Sequence, residues 1–149
     1  MLGYPSSTAT PTGPSTLRPG TTADATGLVL RATAIVSLAG IAVIHVAQIV
    51  TTFQQSAVLG SGFVVLILAC VFAAARLVRG GAPADWIGVA IICGAALAGY
   101  ALTRLWSTPL DMQDVGNWSE ALGLVALFVE GGLLILSGYA LRALAPIRG

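Results

Sequence analysis

The chain has 149 residues, of which 56% are hydrophobic and only 9% charged, and its formal net charge is +1. A soluble domain is usually about 25% charged, so this composition lacks the polar surface that water requires. The near-neutral charge excludes the dense basic patch of a nucleic-acid-binding protein. Cys70 and Cys93 both lie inside apolar runs, which argues against a secreted disulfide framework.

Residues 1–26 are rich in Ser, Thr, Pro and Gly, with one base, Arg18, and one acid, Asp24. Such a segment cannot bury enough apolar surface to offset the entropy of ordering, so it reads as a disordered tail. It contains no apolar run of the kind that a cleavable signal peptide carries.

Four long apolar runs follow, at about 28–50, 59–78, 86–105 and 119–141. A bilayer core about 30 Å thick takes about 20 apolar residues per helix, and each run meets that length. Their apolar character extends around most of the helical circumference, as lipid-facing helices require. The expected connectors, 51–58, 79–85 and 106–118, are short, which favours antiparallel neighbours. The predicted fold is therefore all-α: a four-helix transmembrane bundle over residues 27–145, in contact with the lipid bilayer.

Arginine placement predicts the orientation. Arg18, Arg31, Arg76, Arg79, Arg142 and Arg148 fall on one side, whereas Arg104 alone falls on the other. The positive-inside rule then places both termini and the second connector in the cytoplasm of a cell whose cytoplasmic membrane the chain spans. Trp106 and Trp118 bracket the outer connector and Trp86 opens the third span, as interfacial aromatics do. Ala90, Gly94 and Ala98 on span three, and Gly123, Gly131 and Gly138 on span four, form small-residue stripes. Such stripes suit close packing with another span, another membrane subunit or a second copy.

The polar residues inside the spans are the candidate functional positions. Glu130 sits in Leu127-Phe128-Val129-Glu130-Gly131, near the middle of span four. A carboxylate there costs roughly 2.5–3.5 kcal/mol on insertion scales, so it should face the bundle and have a partner. Its functional reading is a proton-carrying or cation-binding carboxyl, and its plain reading a protonated carboxyl that joins two helices. His45, the single histidine, shares a face with Ser37, Gln48 and Thr52. Histidine shuttles protons and binds metals or haem, or simply sits satisfied in a core.

Counting depth at about 1.5 Å per residue from the expected span ends puts Glu130, Cys70 and Cys93 in one layer, with His45 and Tyr100 in a shallower one. Two thiolates and a carboxylate suit a soft metal, but buried membrane cysteines are ordinarily packing residues, and no metal or other cofactor is expected. At the outer end, Arg104 stands near Asp111, Asp114 and Glu120, a salt-bridged cap or an outer-face ligand site. Asn117 or Ser119 is placed to cap span four, with Glu120 at its positive end. There is no Gly-rich phosphate loop, HExxH, CxxC or nucleophile elbow. With one histidine and no lysine, an enzyme is not expected.

Arg104, Pro109, Asp114-Val115-Gly116-Asn117-Trp118, Glu120, Leu122-Gly123 and Leu127-Phe128-Val129-Glu130 together resemble a pattern in small uncharacterised four-span membrane proteins of high-GC Gram-positive bacteria. Those proteins carry a lone histidine in the first span and a loop with proline and acids before the last. The resemblance implies a four-helix integral membrane fold and supplies no activity. The resulting expectation is a non-enzymatic accessory or interaction subunit. The competing expectations are a proton- or ion-translocating or sensing protein built on Glu130, His45, Tyr100 and Gln48, or a subunit that binds haem, quinone or a metal.

Overall fold

The computed structural model describes residues 22–105, 115–116 and 118–144. Four helices run in order: α1, Thr22–Gln55; α2, Ala57–Val78; α3, Pro83–Leu105; and α4, Ala121–Leu144. All four are long and apolar enough to cross a membrane. The chain is thus an all-α, multi-pass membrane protein. Arg18, Trp106, Asp111, Asp114, Asn117 and Arg148 lie outside the described residues, as does the tail up to residue 21.

The helix ends differ from the sequence expectation in physically readable ways. At 34 residues α1 is about 51 Å long, well beyond a bilayer core about 30 Å thick. It takes in residues 22–26, expected to belong to the tail, and most of the expected first connector. The polar run Thr51-Thr52-Phe53-Gln54-Gln55 stays helical, and the Thr52 hydroxyl donates to the Gln48 carbonyl at 2.9 Å. Only Ser56 breaks the helix, with extended backbone (φ −154°, ψ 120°) and its side chain accepting from the Leu59 N–H at 3.4 Å. A serine in this role caps the following helix.

The second link spans 79–82. Gly80 and Gly81 have φ of +147° and +67°, values that favour glycine, and they turn the chain out of α2. Pro83 then opens α3, where its missing N–H costs nothing. Asp85 accepts from the Ala82 N–H at 2.9 Å and from Arg76 Nε at 2.8 Å, tying the start of α3 to the last turn of α2. At the other end, the Glu120 carbonyl accepts from the Leu124 N–H at 3.0 Å. Glu120 therefore supplies the first capping carbonyl of α4, a place expected for Asn117 or Ser119.

The helices pack in a closed ring: α1 against α2 and α4, and α3 against α2 and α4. Each contributes one inward stripe at three- and four-residue spacing: Ala34, Leu38 and Ile41; Cys70, Ala73 and Leu77; Trp86, Val89 and Cys93; Leu133 and Ala140. The opposite faces remain apolar and exposed, with Phe128 at 84% and Ile135 at 75%, as surfaces solvated by lipid should be. The small-residue stripes contribute little to this ring. Nothing stands within 4 Å of where a Cβ would be at Gly94, Gly131 or Gly138. Close approach occurs at Gly123, against Tyr100, and at Gly60, whose added Cβ would lie 2.5 Å from Phe53 Cγ.

Gly60→Ala should therefore destabilise the fold by about 1–3 kcal/mol through overpacking at the α1–α2 turn. Gly94→Ala should be neutral or stabilising, because alanine is the better helix former and has room. Thermal midpoints in detergent for the two variants and for Gly60→Ala with Phe53→Ala, which should recover part of the loss, check this account.

Candidate functional site

Glu130 is 2% exposed and faces into the ring, while its helical neighbour Phe128 faces out. Its partner is His45 on α1: Nε2 lies 3.9 Å from Glu130 Oε1. That is the only basic group within ion-pair reach of Glu130 among the described residues. The separation exceeds hydrogen-bond distance, so no direct hydrogen bond joins the two groups.

His45 is fixed by two further contacts. Its Nδ1 lies 2.8 Å from the Ile41 carbonyl, one turn back along α1. A carbonyl only accepts, so Nδ1 carries a hydrogen and Nε2 is the nitrogen that gains or loses a proton. The ring also meets Phe63 of α2 edge-on, with centroids 4.6 Å apart. The His45–Glu130 contact thus joins α1 to α4, with α2 closing one side.

The sequence reading put His45 in a shallower layer than Glu130, and the structure corrects this. Because α1 continues to Gln55, His45 lies ten residues, about 15 Å, inside its helix end. Glu130 lies nine residues, about 14 Å, inside the start of α4. The two residues have equal depth because the first helix is longer than its apolar run. Cys70 and Cys93, likewise buried, lie within electrostatic reach of Glu130. Among the described residues no three of His, Cys, Asp and Glu are grouped to hold a metal ion.

A second polar group sits nearer the ends of α1 and α3. Glu120 accepts from Gln48 Nε2 at 3.1 Å and from Arg104 Nη2 at 2.9 Å, one carboxylate oxygen for each. Arg104 is 5% exposed, and burial of a guanidinium demands a carboxylate and further contacts. The Tyr100 ring supplies one of them, 4.7 Å from the guanidinium carbon. Trp118 packs edge-on to the same ring at 6.1 Å, and the Gly116 N–H donates to the Arg104 carbonyl at 3.1 Å. Tyr100 therefore belongs with Arg104 and Trp118 at the helix ends. Its buried hydroxyl has no hydrogen-bond partner among the described residues.

The two groups form one polar column. Glu120 and Arg104 stand at its mouth, Gln48 follows, and His45 lies one turn deeper on the same face of α1, opposite Glu130. The tie from Gln48 to Glu120 was not anticipated, although the one-turn spacing of His45, Gln48 and Thr52 is its sequence signal. Beyond Glu130 the bundle axis becomes apolar, closed by Leu38, Ile41, Leu77, Val89 and Leu133. Ser137, in that stretch, turns its hydroxyl back to the Leu133 carbonyl at 2.8 Å.

No known family model matches the chain, and neither a curated protein nor a solved structure matches it.

The clamp around Glu120 should behave as a coupled unit. A double-mutant cycle of Gln48→Ala with Glu120→Ala, and another of Arg104→Met with Glu120→Ala, should each give a coupling energy of about 1 kcal/mol in detergent unfolding. The Glu120 side chain is 39% exposed, so solvent screening holds the coupling below that of a fully buried ion pair.

Proposed function

We propose that this protein is a non-enzymatic accessory subunit of a bacterial cytoplasmic membrane whose bundle responds to protons through the His45–Glu130 contact. The kinship with the small four-span proteins of high-GC Gram-positive bacteria that its sequence resembles is part of this proposal. The carrying observation is the one-sided polar column. It leads from the Glu120 end to His45 and Glu130 and then meets packed apolar side chains. A translocation path needs polar groups or water on both sides of its central carboxyl. A column closed at one end suits a group that takes up or releases a proton from a single side.

The pair titrates as a unit. Neutral imidazole beside a protonated carboxyl, and imidazolium beside carboxylate, both carry zero net charge. Acidification past that state leaves imidazolium beside a neutral carboxyl, and alkalinisation leaves a carboxylate beside a neutral ring. Each leaves one uncompensated charge in a medium of low dielectric constant. Among the described residues, the other titratable groups facing Glu130 are the thiols of Cys70 on α2 and Cys93 on α3. The contact between α1 and α4 is therefore firmest at intermediate pH and loosens on either side. The partner that reads this change is another membrane subunit or a second copy.

The positive-inside rule supports an orientation with the Gly80 end, which holds Arg31, Arg76, Arg79 and Arg142, in the cytoplasm. The column then opens to the outer side. Support for a non-catalytic role comes from the sequence, which offers one histidine and no lysine for acid–base or covalent chemistry.

The thermal midpoint of the purified protein should pass through a maximum with pH, and Glu130→Gln should flatten that profile. In proteoliposomes an imposed pH gradient should decay no faster than in protein-free vesicles. Proton flux that Glu130→Gln abolishes would establish translocation instead. For the orientation, Ser15→Cys should resist impermeant thiol reagents in intact cells, and rapid labelling there would invert the assignment.

A further inference from the structure

The Gly80 end of the bundle carries a second feature, independent of the His45–Glu130 column. A cavity of about 580 Å³ opens there, bounded by Arg31 and Leu30 of α1, Gly80 and Gly81 of the link, Trp86 of α3 and Ala140 of α4. Small-molecule sites commonly have volumes of about 300–1,000 Å³. Trp86, 2% exposed, gives it a rigid apolar wall.

Arg31 is fixed at its edge. Its Nε donates to the Gly27 carbonyl and its Nη1 to the Gly80 carbonyl, both at 3.3 Å. The side-chain stem lies against Gly81, where an added Cβ would stand 3.1 Å from Arg31 Cδ. Both bonds are to carbonyls, and no carboxylate among the described residues lies within ion-pair distance of the guanidinium. A guanidinium has five N–H donors, and those beyond these two bonds have no partner among the described residues. Asp24 also borders the cavity, two helical turns before Arg31 on α1.

The surrounding charge has the same sign. A smaller cavity of about 370 Å³ shares Gly80 and Gly81 and adds Arg76 and Arg79. Arg76 is paired with Asp85, whereas the side chains of Arg79 and Arg142 have no partner among the described residues. Among the described residues at this end of the bundle, Arg31, Arg76, Arg79 and Arg142 are accompanied by two acids, Asp24 and Asp85.

We propose that the Arg31 cavity binds the phosphate of an anionic glycerophospholipid, with the acyl chains lying along the apolar flanks of α1 and α4. A pre-positioned guanidinium fork matches phosphate oxygens in pairs. Basic pockets between transmembrane helices at the headgroup level are where such lipids are held. The occupant is a lipid because the cavity is walled by Leu30, Trp86 and Ala140 and continues onto helix faces that already lie in hydrocarbon.

Native mass spectrometry of delipidated protein in mild detergent, titrated with phosphatidylglycerol, phosphatidylcholine or inorganic phosphate, tests this directly. Phosphatidylglycerol should bind at least about tenfold more tightly than phosphatidylcholine, and inorganic phosphate should not displace it. Arg31→Gln should weaken phosphatidylglycerol binding by about tenfold or more, Arg31→Lys by less, and Arg142→Gln by under about twofold. Circular dichroism identifies any variant that has lost its helices, and if Arg31→Gln does so, the Arg31→Lys comparison decides. Equal binding of the two lipids would overturn the proposal. So would unchanged affinity in the Arg31 variants, an equal loss in Arg142→Gln, or displacement by inorganic phosphate, which would make this a site for a free anion.

Discussion

Hydrocarbon accepts no hydrogen bonds, and this single fact governs both what the chain folds into and where its few polar groups go. Backbone amides in the bilayer must be satisfied within their own segment, which leaves helices as the available element for runs of this composition. Side chains obey the same demand. Glu130 and Arg104 would each be costly against lipid, and both point into the ring formed by the four helices, where His45 and Glu120 respectively meet them. The bundle is in this sense organised around its exceptions, since lipid is as good a solvent for leucine as a neighbouring helix is.

That argument explains why the contacts between helices are so uneven in kind. The α1–α2 turn is set by steric fit, with the Phe53 ring occupying the space that a side chain at Gly60 would need. The α1–α4 and α3–α4 contacts are instead pinned by polar groups at two depths, His45 with Glu130 and Gln48 and Arg104 with Glu120. The α1–α2 turn is therefore held by shape, and the seams to α4 by polar groups.

The number of helices, their apolar outer faces and the inward position of Glu130 were legible from hydropathy and from the cost of a buried charge. What hydropathy could not supply was the length of α1. Thr51 to Gln55 look like a connector because they are polar, yet a threonine hydroxyl that bonds to its own helix lets the helix continue. The five extra residues moved His45 to the depth of Glu130 and left Tyr100 with Arg104. An error in one helix end thus became an error in which residues meet. The small-residue stripes permit close packing with another span or another subunit without compelling it, and of their glycines Gly123 alone meets a side chain of this bundle among the described residues.

The two ends of the bundle also differ in how they hold their arginines, and this difference bears on what each end can do. Arg104 is enclosed, with a carboxylate on its fork and an aromatic ring against its guanidinium, so its charge is consumed in holding α3 to the start of α4. Arg31 has its stem against Gly81, and its bonds go to neutral carbonyls, both at 3.3 Å. A charge that is positioned without being neutralised retains its field for a ligand, whereas a neutralised one serves only the fold. The same residue type is therefore tied to a carboxylate at one end of these helices and to neutral carbonyls at the other, and the distinction lies in the partner rather than in the depth.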